Sequence, residues 1–162
     1  MSRLDSFIRR MQAQRACLDW AAAAIADLPG PVLELGLGNG RTYDHLREIL
    51  PDREIYVFDR RIAAHPACIP PQERLFLGEV DEMLPLATER LGRSAALVHT
   101  DLGTGDEAAN ARLAAMVGPL LAALVAPGGI VVANHLFAVA GWGKLPEPEG
   151  VKPGRYFLYR AG

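Results

Sequence analysis

Residues 32–40 read Val32-Leu33-Glu34-Leu35-Gly36-Leu37-Gly38-Asn39-Gly40, a short and mostly apolar run that gives way to three alternating glycines. An apolar run of this length closed by glycine suits a buried strand. Beyond it Tyr43, Leu46, Ile49 and Leu50 recur at helical spacing as far as Pro51. The order is therefore strand, glycine turn, helix. Glycines let a backbone approach a ligand closely, and the helix after the turn offers unpaired amides at its N-terminus. The spacing differs from the Gly-x-Gly-x-x-Gly of dinucleotide sites, because Arg41 stands where the third glycine would fall.

The same alternation continues outward. Residues 54–58, 74–77, 95–99 and 129–133 read as further strands. Residues 81–90 and 106–125 read as helices, the second broken or kinked where Gly118-Pro119 removes an amide donor. The link 60–73 carries three prolines, which limits it to a short or irregular helix. Upstream, Leu4, Ile8, Met11, Leu18, Ala22 and Ile25 form one helical stripe that Pro29-Gly30-Pro31 ends. Downstream, residues 155–160 alternate in strand fashion. Apolar strands alternating with helices predict an α/β fold: a doubly wound, mostly parallel, Rossmann-like sheet with helices on both faces and an antiparallel C-terminal edge strand. Residues 1–162 are expected to form one domain, with an N-terminal helix over 1–28, a ligand-binding core over 31–134, and a loop and edge strand over 135–162. Ligands of such sheets bind beyond the carboxyl ends of the strands.

Composition narrows the function. Half of the 162 residues are apolar, enough for a sizeable core. A net charge of -2 and a pI near 6.1 give no positive field to draw the chain onto nucleic acid or an anionic membrane. Cys17 and Cys68 form neither a Cys-x-x-Cys pair nor a metal-ligand cluster, which fits a reduced, cytoplasmic setting. No apolar run is long enough to span a bilayer.

With Glu34 just before Gly36, Gly38 and Gly40, the chain resembles the class I S-adenosylmethionine-dependent methyltransferases, whose first motif is an acidic residue followed by three alternating glycines. The resemblance extends to Asp59 at the end of the second strand, where the family uses a carboxylate to accept hydrogen bonds from the ribose hydroxyls. It continues through Gly78-Glu79-Val80, where family members frame the adenine, and through the turn at Pro127-Gly128-Gly129. It implies S-adenosylmethionine as cofactor, with Glu34, Gly36, Leu37, Gly38, Asn39, Gly40, Asp59, Glu79 and Val80 around it. Read alone, Asp59 is also a helix cap or turn residue, and Glu79 is also a solvated carboxylate in the first turn of a helix.

A sulfonium donor is already activated, so the protein mainly aligns a nucleophile and excludes water. Asp101 and His135, at the carboxyl ends of the fourth and fifth strands, are the candidate catalytic residues, able to accept a proton from a hydroxyl or amine; His135 equally suits a hydrogen-bonded structural role. Asp101 and Asn134 also match two ligands of the catechol-type, metal-dependent members, but Ala133 replaces the third, so no metal is predicted. Asp101-Leu102-Gly103-Thr104 lacks the Pro-Pro-aromatic motif of the amino-methylating DNA enzymes. The expected acceptor is a small molecule, and the N-terminal helix is a candidate interface for a homo-oligomer. The Gly- and Pro-rich stretch 137–154 suits a lid, with Trp142 as an apolar wall. The family usually adds a helix and a two-stranded hairpin after the fifth strand, and the 28 residues left here imply an abbreviated end. Two other readings use the same glycine loop: a non-catalytic S-adenosylmethionine-binding sensor or partner subunit, and a nicotinamide-dependent reductase.

Overall fold

The computed structural model describes residues 2–162; Met1, the first residue of the expected N-terminal helix, lies outside the described residues. Helix α1 (Arg3–Ala24) opens on a capping box in which Ser2 Oγ accepts from the Asp5 amide and the Asp5 carboxylate accepts from the Ser2 amide. There follow β1 (Val32–Leu35), α2 (Arg41–Ile49), β2 (Ile55–Asp59), β3 (Leu75–Leu77), α3 (Val80–Leu91), β4 (Ala95–Thr100), α4 (Glu107–Ala122), β5 (Val125–Ala133), β6 (Trp142–Leu145) and β7 (Phe157–Ala161). The proline-bearing link between β2 and β3 holds only two short 3-10 turns.

The strands form one sheet in the order β3-β2-β1-β4-β5-β7-β6. The first five are parallel and β7 runs antiparallel to both neighbours. Period-two alternation sorts the side chains into two cores. Val32, Val57, Leu97, Ile130 and Val132 pack on the side of α1 and α2, while Leu33, Leu35, Phe58, Val98 and Val131 face α3 and α4. The same parity puts Glu34 and His99 on the α1 face, opposite each other in the β1–β4 register. Among the described residues no helix is long and apolar enough to cross a membrane.

The fold class is as the sequence predicts, with three corrections. Residues 142–145, expected within an irregular lid, form β6, so the true edge is β6 and β7 lies inside it. The hairpin that seemed missing is therefore present. Trp142 turns away from the cavities described below and clusters with Phe137 and Tyr159, at ring separations of 5.9 and 5.8 Å. Helix α4 continues through Gly118-Pro119. A Cβ at Gly118 would lie 2.9 Å from Val139 and 3.3 Å from Phe137, so the glycine is where the segment after β5 packs on the helix. Finally, β5 begins four residues earlier than expected, carrying the Pro127-Gly128-Gly129 turn as an irregularity in its pairing with β4.

Candidate functional site

The carboxyl ends of β1, β2 and β4 open onto a cavity of about 500 Å3. Its floor is the glycine loop. Gly36 and Gly40 have φ of +95° and +87°, and a Cβ would lie 2.7 Å from the Asp101 carbonyl oxygen at the first and 2.4 Å from Cys68 Cβ at the second. Both glycines are thus required by the protein's own packing. Gly38, at φ +52°, has nothing within 4 Å of where a Cβ would stand and faces open space. Asp59 braces this loop: its Oδ2 accepts from the amides of Leu37 at 2.9 Å and Gly38 at 3.1 Å, and Oδ1 accepts from the Arg61 amide.

Of the residues expected around the cofactor, Gly36, Leu37, Gly38, Asn39, Asp59, Glu79 and Val80 line the cavity, whereas Gly40 and Glu34 do not. Gly40 sits behind the loop as the left-handed residue that starts α2. Hydrophobic patterning gave no sign of the opposite wall, which comes from α1 through Phe7, Arg10, Met11 and Gln14. Arg41, at the start of α2, lies 5.8 Å over the Phe7 ring and ties the two walls together.

Glu34 is wholly buried and works from below. Its carboxylate accepts from Thr42 Oγ1 and lies 2.6 Å from His99 Nδ1, on an equally buried ring. Burial pushes the His99 pKa down, but the charge and hydrogen bond of Glu34, with the charge of Asp101, outweigh it, and the pKa is raised above its ordinary 6.5. Gln14 Nε2 sits 3.3 Å from His99 Nε2 and donates to Asp101 Oδ2 at 3.1 Å. In the neutral ring Nε2 accepts from Gln14; a protonated ring needs the Gln14 oxygen there, a half-turn of the amide. Arg10 Nη2 donates to the same Asp101 oxygen at 2.8 Å. One chain of polar contacts therefore runs from beneath the glycine loop to the end of β4.

Asp101 stands between the first cavity and a second, also of about 500 Å3, that adjoins it; Arg10, Asp101, Leu102, Gly103 and Thr104 line both. Asn134, Arg155 and Tyr156 line the second alone. His135 lines neither. Its Nε2 lies 2.7 Å from the Leu102 carbonyl oxygen, and a Cβ at Gly103 would come within 2.7 Å of the same nitrogen, so His135 holds the loop after β4 in place. The candidate catalytic pair is thus separated: Asp101 borders both cavities and His135 does not.

A family model described as S-adenosyl-L-methionine methyltransferase matches residues 1–161. The chain belongs to that family. It is a methyltransferase dependent on S-adenosylmethionine, which excludes the reductase reading of the glycine loop. Among solved structures it is similar to an S-adenosyl-L-methionine methyl transferase from Silicibacter pomeroyi DSS-3, with 50% identity, 100% of this chain and 99% of that one covered, and a TM-score of 0.94. Two distant structures share the fold. One is MycE from the mycinamycin biosynthetic pathway, solved with Mg, SAH and mycinamycin VI, at 15% identity, TM-score 0.57, and 85% and 43% of the two chains covered. The other is human methyltransferase-like protein 13, solved with SAH, at 10% identity, TM-score 0.57, and 93% and 81% covered. A search of curated proteins finds no match. The first cavity suits the cofactor: it combines the open backbone at Gly38, the carboxylates of Asp59 and Glu79, and apolar surface from Leu37, Phe58 and Val80.

Proposed function

We propose that this methyltransferase moves a methyl group from S-adenosylmethionine, held in the first cavity, to a small-molecule acceptor that enters from the second. The observation carrying this reading is that two cavities meet at Asp101, at the carboxyl end of β4. The sulfonium, when bound, supplies a methyl carbon that a nucleophile's lone pair can attack while the carbon–sulfur pair returns to sulfur.

The chain's own residues bind, orient and take up the proton. Backbone at 36–39 meets the cofactor, with Asp59 accepting from its ribose and Glu79 and Val80 flanking its base. Asp59 Oδ2 is already committed to two loop amides, so the residue shapes the loop as well as the ligand. Glu34 and Gly40 act as positioning residues. Arg10 and Gln14 occupy Oδ2 of Asp101, leaving Oδ1 to receive the nucleophile's proton. His135, with Nε2 against the Leu102 carbonyl, takes a positioning role. The exposed Leu4, Phe7 and Ile8 on the first turns of α1 extend the interface expected for a homo-oligomer, which sedimentation velocity on wild type and Ile8→Asp would reveal or dismiss.

Isothermal calorimetry with S-adenosylmethionine, followed by a metabolite screen read as formation of the demethylated product, tests the reading. Binding with turnover on a small molecule is expected. Binding with no product from any small molecule would favour the sensor or partner-subunit role, and product only with protein or nucleic acid would correct the acceptor class.

A further inference from the structure

The second cavity is built from one face of the sheet. Asp101 follows β4 by one residue, Asn134 follows β5 by one, and Tyr156 precedes β7 by one. Strand parity places all three on the side of α1, beneath Arg10. Two buried polar atoms there have no partner among the described residues: Asn134 Oδ1 and the Tyr156 hydroxyl. The Asn134 amide cannot be turned over to relieve this, because its nitrogen donates to the Leu102 carbonyl at 2.7 Å. Its oxygen is therefore left as a bare acceptor on a residue that lines the cavity. Tyr156 is 1% exposed and lines the same cavity, with its oxygen beside the Arg10 guanidinium and its O–H proton without an acceptor among the described residues. Leaving two buried polar atoms unpaired costs stability that a well-packed apolar pair would not, and such sites commonly await a ligand.

Charge supplies the second constraint. Arg10 and Arg155 bring two positive charges to the lining and Asp101 brings one negative. Arg155 makes no ion pair or side-chain hydrogen bond among the described residues. The lining is otherwise polar or glycine, apart from Leu102 and the Tyr156 ring. An apolar acceptor would leave these groups unsatisfied, and one whose only charge is positive would meet the two arginines.

We propose that the second cavity takes a small hydroxy- or amino-carboxylic acid, its carboxylate held by Arg155 and the Tyr156 hydroxyl, and its O–H or N–H donated to Asn134 Oδ1. This rests on the methyltransferase reading above and narrows its acceptor class. A single carboxylate neutralises the one excess positive charge; Asn134 Oδ1 orients the hydroxyl or neutral amine, and as its lone pair takes the methyl group its proton passes to Asp101 Oδ1.

The test uses the full chain loaded with SAH, the demethylated form of the cofactor. Saturation-transfer NMR is run with a set of small hydroxy and amino acids, lactate and serine among them, each beside its primary amide. Acids are expected to bind and amides to bind at least about tenfold more weakly, the scale of one charge-assisted contact. Arg155→Ala, on an exposed side chain, should weaken acid binding about tenfold, and Tyr156→Phe by a smaller factor, with SAH affinity unchanged in both. Equal binding of acids and amides, or no effect of Arg155→Ala, would overturn the proposal. So would the failure of every acid to bind while SAH still binds. Loss of SAH binding by the wild type would instead strike the cofactor assignment on which it rests, so the two failures are told apart.

Discussion

The two cavities are of similar size and share a wall, yet they are made in opposite ways. The first rests on a backbone floor from the glycine loop after β1, with side chains from the ends of β2, β3 and β4 and from α1 around it. The second is a side-chain structure in which Arg10, Asp101, Asn134 and Tyr156 arrive from four distant parts of the chain. A backbone cradle can serve one unvarying ligand on any member of a family. A side-chain box can be rebuilt residue by residue, so chemistry that varies from enzyme to enzyme belongs there. The Glu34–His99–Gln14–Asp101 chain ties the floor of the first cavity to the Asp101 carboxylate that both share, and breaking it is the severest test of the contrast.

Glu34→Ala should have the largest effect. It removes one partner from a pair that is fully buried on both sides, a change that costs about 3–5 kcal/mol, measured as unfolding free energy in urea. The pair also carries a pH sign. His99 binds its proton more tightly in the folded chain than at its ordinary 6.5, so this contribution is complete below 6.5 and is lost as pH rises through the raised value. Wild-type stability should therefore slope downward just above pH 6.5, and the slope should flatten in Glu34→Ala. An equal slope in both would mean that Glu34 does not set the His99 proton affinity.

The glycines come next. Gly36→Ala would force a Cβ to within 2.7 Å of a backbone oxygen at φ +95°, and should cost about 3 kcal/mol. Gly38→Ala meets open space and should cost about 1 kcal/mol in stability while impairing S-adenosylmethionine binding, since the added methyl group faces the cavity. If both variants lose stability alike and Gly38→Ala binds cofactor normally, the loop's open side has been misjudged.

The contrast also explains what could be read from sequence. The strand–glycine–helix order, the parallel sheet and most of the first cavity's lining were legible, because apolar period and glycine spacing are local signals. β6 was not: Trp142-Gly143-Lys144-Leu145 has no alternation, with both middle residues exposed, and exists as a strand only through pairing with β7. The buried face of α1 was displaced as well. Leu4 and Ile8 are exposed, while Ala13, Gln14, Cys17, Leu18 and Ala21 face inward, a mix of small and polar residues that hydrophobic periodicity does not detect. Arg10 and Gln14 continue that inward face, which is why a helix seemingly outside the ligand-binding core walls both cavities. His135 was selected for its chemistry and its place after β5, and only its contact with Leu102 separates it from Asp101.

Asp59→Ala lies on the first side of the comparison and should weaken S-adenosylmethionine binding by about 1–3 kcal/mol in calorimetry. Because Asp59 Oδ2 holds the Leu37 and Gly38 amides, part of that loss is loop order, and Asp59→Asn should recover some affinity through its remaining amide oxygen. No recovery would mean that the charge, rather than the brace, is what the cofactor requires.

The smallest effect is expected on the other side, and its sign matters more than its size. In the first cavity polar groups such as Asp59 are satisfied by the protein itself, so truncating them should always destabilise the fold. In the second, Tyr156→Phe deletes a hydroxyl that burial holds in its protonated form, with a pKa pushed up to about 12, and whose O–H proton has no acceptor among the described residues. The ring keeps its place in the core cluster that also holds Leu18, Leu97 and Leu158. Removing an unpaired buried hydroxyl should leave thermal stability unchanged or raise it by up to about 1 kcal/mol. A clear loss of stability would mean that Arg10 or an ordered water already satisfies Tyr156, and the second cavity would then offer a ligand one bonding group fewer.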